Sequence, residues 1–174
     1  MDALIADFTH PTFLDPLAMA ARMLLALICG AVVGFEREYK SHAAGLRTHI
    51  LVSMAAAVIA LVAIEITHLP TFGGTEIRID PIRLIEAVTS GVAFLAAGMI
   101  VFNRGRVLGL TTGAGMWLAG AIGLACGLGF WQVAALATIA AVIVLSLLRR
   151  VEFRLDLKDR KKREQEGTAT RSDE

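Results

Sequence analysis

The chain has 174 residues, enough for one domain, and 56% of them are hydrophobic. That share is above the apolar content of an ordinary soluble domain, and the excess lies in long runs, which excludes a water-soluble globule. The formal net charge of +1 hides a strong segregation of charge, and a single basic run near the C-terminus is all that speaks for nucleic acid, which is excluded as a partner.

Residues 1–16 carry Asp2, Asp7 and Asp15 but no Lys or Arg. This is the wrong charge for the start of a secretory signal, so the first apolar run is expected to be retained, with 1–16 as an external segment. About 20 apolar residues are needed to cross the hydrocarbon of a bilayer. Five stretches meet or approach that length: 17–35, 49–66, 82–102, 107–128 and 130–148. Backbone groups inside lipid must be satisfied within their own segment, so each stretch reads as a helix. The many Gly, Ala and Met residues, with few Tyr or Thr alternations, argue against a barrel. The expected fold is therefore all-α, a membrane bundle of five helices over residues 17–148.

Lys and Arg set the orientation. Arg37, Lys40 and Arg47 lie between the first two spans, Arg104 and Arg106 between the third and fourth, and a dense group beyond Arg149. The opposite side holds only Arg78 and Arg83, with Arg22 inside the first span. The N-terminus is placed outside and the C-terminus in the cytoplasm. The loop 67–81 has turn signals at Pro70, Gly73, Gly74 and Pro81. The tight joint 127–130 predicts an antiparallel hairpin of the last two helices. In the tail, 149–174, apolar and charged residues alternate from Val151 to Lys158, which fits either a strand or a helical extension. From Asp159 the composition is that of a solvated, disordered segment.

Small residues let helix backbones approach in lipid. Gly115, Ala119, Gly123 and Gly127 recur every four residues, as do Ala26, Gly30 and Gly34. With Gly91 and Gly98 these are the expected packing positions, either inside the bundle or between copies in a homo-oligomer. Arg22 and Glu86 stand at similar depth near the external end, and either pair or snorkel separately. Asp80 before Pro81 fits a helix cap. It is also the candidate metal ligand, because Asp80, Glu65, Glu76 and Glu86 together would make an external vestibule for a hydrated Mg²⁺. Across the middle only hydroxyls such as Ser53 and Ser90 are polar, a poor conduit. Cys29 and Cys126 fall in apolar runs and read as small buried hydrophobes. The four histidines lack zinc spacing, and no nucleophile elbow or phosphate loop is present. No catalytic residue is assigned, and the chain reads as a non-enzyme. On the cytoplasmic face Glu36, Arg37, Glu38, Arg47, Thr48, Thr111 and Thr112 form a candidate polar cluster, either a site for a partner or small anion or simply a capped loop, with Thr48 as the cap of the second helix.

The run from Arg22 to Glu38, followed by Ala44-Gly-Leu-Arg-Thr-His49, resembles the signature of the MgtC/SapB family. So do Asp80-Pro-Ile-Arg83, Ser90-Gly-Val-Ala-Phe-Leu-Ala-Ala-Gly98, and Gly109-Leu-Thr-Thr112 with Trp117. The resemblance covers about residues 17–148. Ala93 and Ala96 stand where the family usually has glycines, Ala87 where Gln is common, and Leu108 where a basic residue is usual. The extra methyls suggest a looser approach of the third helix. Longer members carry a soluble C-terminal regulatory domain, and this chain reads as the short form without it. The resemblance implies a multi-pass protein of the bacterial inner membrane, tied to magnesium limitation, acid stress and survival inside hosts. It implies modulation of another membrane complex, an ion pump or ATP synthase, and the alternative is a direct Mg²⁺ or other cation transporter.

Overall fold

A computed structural model describes residues 11–39, 44–69, 80–103 and 106–146. Glu76, the turn signals Pro70, Gly73 and Gly74 of the loop 67–81, and the tail 149–174 lie outside these residues. Five helices are described: α1 (Pro16–Tyr39), α2 (Leu46–Thr67), α3 (Pro81–Gly98), α4 (Leu110–Leu128) and α5 (Trp131–Ser146). The fold is all-α. Helices α1, α2 and α4 are long and apolar enough to cross a membrane. The central element is α4, with 67% of its apolar window buried against 28% and 33% for α1 and α2. It packs on α1, α2 and α3.

The boundaries differ from the sequence expectation in a consistent way. Helix α1 runs on to Tyr39, and α2 already begins at Leu46. Glu36, Arg37 and Glu38 are thus helical, and Arg47 and Thr48 lie in the first turn of α2. In contrast, the third helix stops at Gly98 rather than at 102, and the fourth starts at Leu110 rather than at 107. Between them is a hairpin of β1 (Val101–Asn103) and β2 (Arg106–Leu108), with Phe102 opposite Val107. Val101, Phe102 and Val107 there are β-branched or aromatic, residues that suit a pleated ribbon. Gly109 closes it at φ +85°, and a Cβ there would collide with the Met99 carbonyl.

The joint between α4 and α5 is a Schellman turn. Phe130 N–H donates to Ala125 O at 2.8 Å and Gly129 N–H to Cys126 O at 3.0 Å, with Gly129 at φ +83°. The interior is made of small apolar groups. One cluster joins Ala26, Cys29 and Val33 of α1 with Ile122 and Cys126 of α4 and Ala134 and Ala141 of α5. Both cysteines are buried free thiols.

Backbone contact holds the helices together. A Cβ at Gly30 would lie 2.9 Å from His49 O, and one at Gly34 would lie 2.8 Å from Leu46 Cα. At Gly123 it would collide with the Ser53 backbone, and at Gly127 it would stand 2.7 Å from Ala60 Cβ. At Gly91 and Gly98 a Cβ would meet nothing within 4 Å, so neither makes the close contact inside the bundle that was one of the two places expected for it, the other being between copies. Both glycines are exposed, and Gly91 borders an apolar groove between α3 and α2.

Gly109→Ala and Gly129→Ala each force a β-carbon into the left-handed region, at a cost of about 1–2 kcal/mol. Gly109→Ala adds the collision with Met99 and is expected to be the more damaging of the two. Thermal unfolding of the purified variants in one detergent checks the ranking.

Candidate functional site

The polar groups gather where the C-terminal end of α1 meets the N-terminal ends of α2 and α4. Arg37 points inward from the last turn of α1 and is only 3% exposed. Its Nη2 donates to Thr112 Oγ1 at 2.9 Å, across to the first turn of α4. A hydrogen bond to a charged group is stronger than a neutral one, and this one joins two helices under cover. Glu36, beside it, turns both carboxylate oxygens away from solvent. His49, in the first turn of α2, has no exposed surface. Its Nδ1 lies 2.8 Å from Gly45 O, and a carbonyl can only accept, so Nδ1 carries the proton.

Glu38 caps α2. Its Oε2 accepts the Leu46 N–H at 3.0 Å, satisfying one of the free donors of a helix start. Gly45 makes that reach feasible, since a Cβ there would collide with the Glu38 carboxylate. Thr48 therefore does not cap α2: the helix starts three residues earlier than the sequence suggests, which places Thr48 inside its first turn. Arg47 and Thr111 are exposed. The cluster thus unites Arg37, Thr112 and Glu38 with His49 and leaves Arg47, Thr111 and the outer edge of Glu38 on its surface.

His49 is the residue that sequence reasoning missed, because the histidines were judged only by metal spacing. A usable signal was present. His49, Ser53 and Ala57 recur at four-residue spacing, the repeat that marks a buried helix stripe, and all three are buried. Ser53 Oγ continues the stripe by donating to Ala26 O of α1 at 2.8 Å.

At the opposite end Arg22, Asp80 and Glu65 are spent on backbone. Arg22 Nη1 donates to Gly127 O at 2.9 Å. It faces the carbonyl end of α4, where a cation is favoured. Glu86 is exposed on α3. The Arg22–Glu86 pairing weighed from the sequence is thus replaced by a helix-end contact, which satisfies the guanidinium without bringing α3 to α1. Asp80 Oδ1 accepts the Ile82 N–H at 2.9 Å as the cap of α3. Glu65 accepts Phe13 N–H at 2.8 Å and Leu14 N–H at 2.9 Å, and Phe13 stacks on His68 at 3.4 Å. Among the described residues no group of three His, Cys, Asp or Glu could hold a metal ion.

An apolar helical bundle with exposed Leu, Ile, Val and Phe on its outer faces, and its polar groups tied up at the two ends, defines a helical membrane protein. Residues 23–154 match the model of the MgtC family, and the chain belongs to that family. It is 32% identical over 134 residues to a protein of Escherichia coli (strain K12) named "Putative magnesium transporter YhiD", covering 77% of this chain and 62% of that one. It is 34% identical over 146 residues to Protein SrpB of Synechococcus elongatus, covering 79% of each. Protein MgtC of Brucella abortus (strain 2308) is 36% identical over 135 residues, 77% of this chain and 53% of that protein. The chain thus spans less than two thirds of the Escherichia coli and Brucella relatives. No solved structure matches it.

Thr112→Val keeps the volume but leaves a buried guanidinium hydrogen without its acceptor, and is expected to cost about 1–3 kcal/mol; Thr112→Ser is expected to stay near wild type. Denaturant titration in mixed micelles reads both. At the other end, Arg22→Glu is expected to destabilise and Glu86→Arg to be tolerated. The double exchange should recover nothing, which the same titration checks.

Proposed function

We propose that this chain is a regulatory protein of the bacterial inner membrane that modulates another membrane complex, an ion pump or ATP synthase, during adaptation to low magnesium, acid stress or life inside a host. Its N-terminus lies outside and its C-terminus in the cytoplasm, as the distribution of Lys and Arg indicates. The Arg37–Thr112–His49 end then faces the cytoplasm, and the exposed Glu38, Arg47 and Thr111 above it are the surface offered to a partner.

The observation that carries this reading is the use made of four charged residues. Arg22 bonds a helix end, Asp80 caps α3, Glu65 clamps the chain before α1, and Arg37 is locked to Thr112. Mg²⁺ prefers six oxygen ligands and keeps several waters, so a path for it requires polar groups through the middle. Ser53, at that level, is committed to Ala26 O. The candidate ligand Asp80 serves its helix instead. The second reading, direct cation transport, rests on the name of the Escherichia coli relative alone.

Proteoliposomes loaded with a Mg²⁺ indicator separate the two. Regulation expects flux equal to that of protein-free vesicles, together with a growth defect of the deletion strain in low Mg²⁺ that Arg47→Glu fails to rescue although it inserts normally. Flux that disappears in Asp80→Asn or Glu86→Gln would overturn the regulatory reading.

A further inference from the structure

His49 has one ring nitrogen committed and one not. Nδ1–H donates to Gly45 O, so the neutral ring presents Nε2 as an acceptor. Nε2 is buried and has no hydrogen-bond partner among the described residues. A buried acceptor of this kind calls for a donor. The nitrogen points at Gly115 of α4. A Cβ built there would lie 3.2 Å from Nε2 and, its own stretch of helix aside, within 4 Å of no other heavy atom. Gly115 is itself buried. The glycine therefore leaves room against Nε2 rather than merely permitting a helix contact, unlike Gly123 and Gly127, where a neighbouring helix fills the place.

Thr112 is one turn away on the same face of α4. Its oxygen accepts from Arg37, which leaves its hydroxyl hydrogen to be donated. We propose that the space over Gly115 is a binding site for one small molecule that accepts from Thr112 and donates to His49, of the size and chemistry of water. The donor directions then run one way: Arg37 Nη2–H to Thr112 Oγ1, Thr112 O–H to the bound molecule, the bound molecule to His49 Nε2, and His49 Nδ1–H to Gly45 O. One polar chain links α1, α4 and α2. A buried water commonly makes about three such bonds, and a site between two polar side chains in an otherwise apolar bundle suits it. The inference is independent of the regulatory reading, because it concerns only how this end of the bundle is satisfied.

The test is magnetic resonance on the whole protein, labelled with ¹⁵N-histidine, in lipid nanodiscs, with water as the probe. The His49 signals are assigned by their loss in His49→Gln. In the wild type, Nδ1 is expected to be protonated and Nε2 unprotonated, with a water-edited cross-peak to the His49 ring. Gly115→Ala puts a methyl in the site and should remove that cross-peak. Gly115→Ser places a hydroxyl beside Nε2 in place of the water; it should also remove the cross-peak while unfolding at a higher temperature than Gly115→Ala. A proton on Nε2 at neutral pH, no water cross-peak in the wild type, or a cross-peak of full strength in both variants would each overturn the proposal. If neither variant folds, the wild-type tautomer and cross-peak decide it alone.

Discussion

Gly123 of α4 lies directly on the backbone of Ser53 in α2, with no side chain between them. Much of the bundle depends on this kind of approach. Apolar side chains gain little by leaving lipid for one another, so helices associate through close van der Waals contact and a few shared polar bonds. Gly30 and Gly34 bring α1 onto the first turns of α2, and Gly123 and Gly127 bring α4 onto its middle. Once those backbones meet, Ser53 is close enough to reach Ala26 O, Arg37 to reach Thr112 and Arg22 to reach Gly127 O. The polar bonds follow from the glycines, since a methyl at any of these positions would meet the facing helix at less than 3.0 Å and force one of the two to shift.

The same constraint explains why the charged residues sit where they do. A guanidinium inside a bilayer survives only when it is paired, snorkelled or turned to a carbonyl. Arg22 uses the exposed carbonyl end of α4, whose partial negative charge replaces a carboxylate partner. Arg37 uses a threonine in the first turn of the same helix. One helix thus receives an arginine of α1 at each of its ends, and α1 and α4 are held in register by two contacts on opposite sides of the membrane core.

Much of this was legible in the residues. Long apolar runs revealed the helices, and four-residue spacing marked the glycines of α1 and α4 that make contact. The Asp80-Pro81 pair marked a helix start, and the structure uses Asp80 as its cap. What was not legible depends on tertiary choice. The strand pairing of Val101–Asn103 with Arg106–Leu108 was invisible, because a short apolar run has no periodicity that tells a ribbon from a helix end. Whether Gly91 and Gly98 touch a neighbour depends on how α3 is rotated, which spacing along one helix does not state. His49 was passed over because its value lies in burial and in a missing side chain opposite, at Gly115, both properties of another helix.

The seam of α3 on α4 corrects one further expectation, that Ala93 and Ala96 loosen this contact. Ala93 is exposed and takes no part in it. Ala96 is buried, and across from it stands Gly113, where a Cβ would come within 3.1 Å of Ala96 O and 3.5 Å of Ala96 Cβ. Further along, Val92 fits against Gly120, its Cγ2 only 2.8 Å from where a Cβ would be. The extra methyl of Ala96 is thus received by a glycine on the facing helix, and the approach stays close. Beside its contact with α2, α3 borders an apolar groove of about 380 Å³ lined by Leu51, Ala55, Ile59, Ala87, Gly91 and Leu95. Helix α3 is therefore held on α4 by Val92 and Ala96 against Gly120 and Gly113 and on α2 by Val88 and Val92 packed with Val52 and Ala56, whereas α1, α2 and α4 are joined by close backbone contact and buried polar bonds.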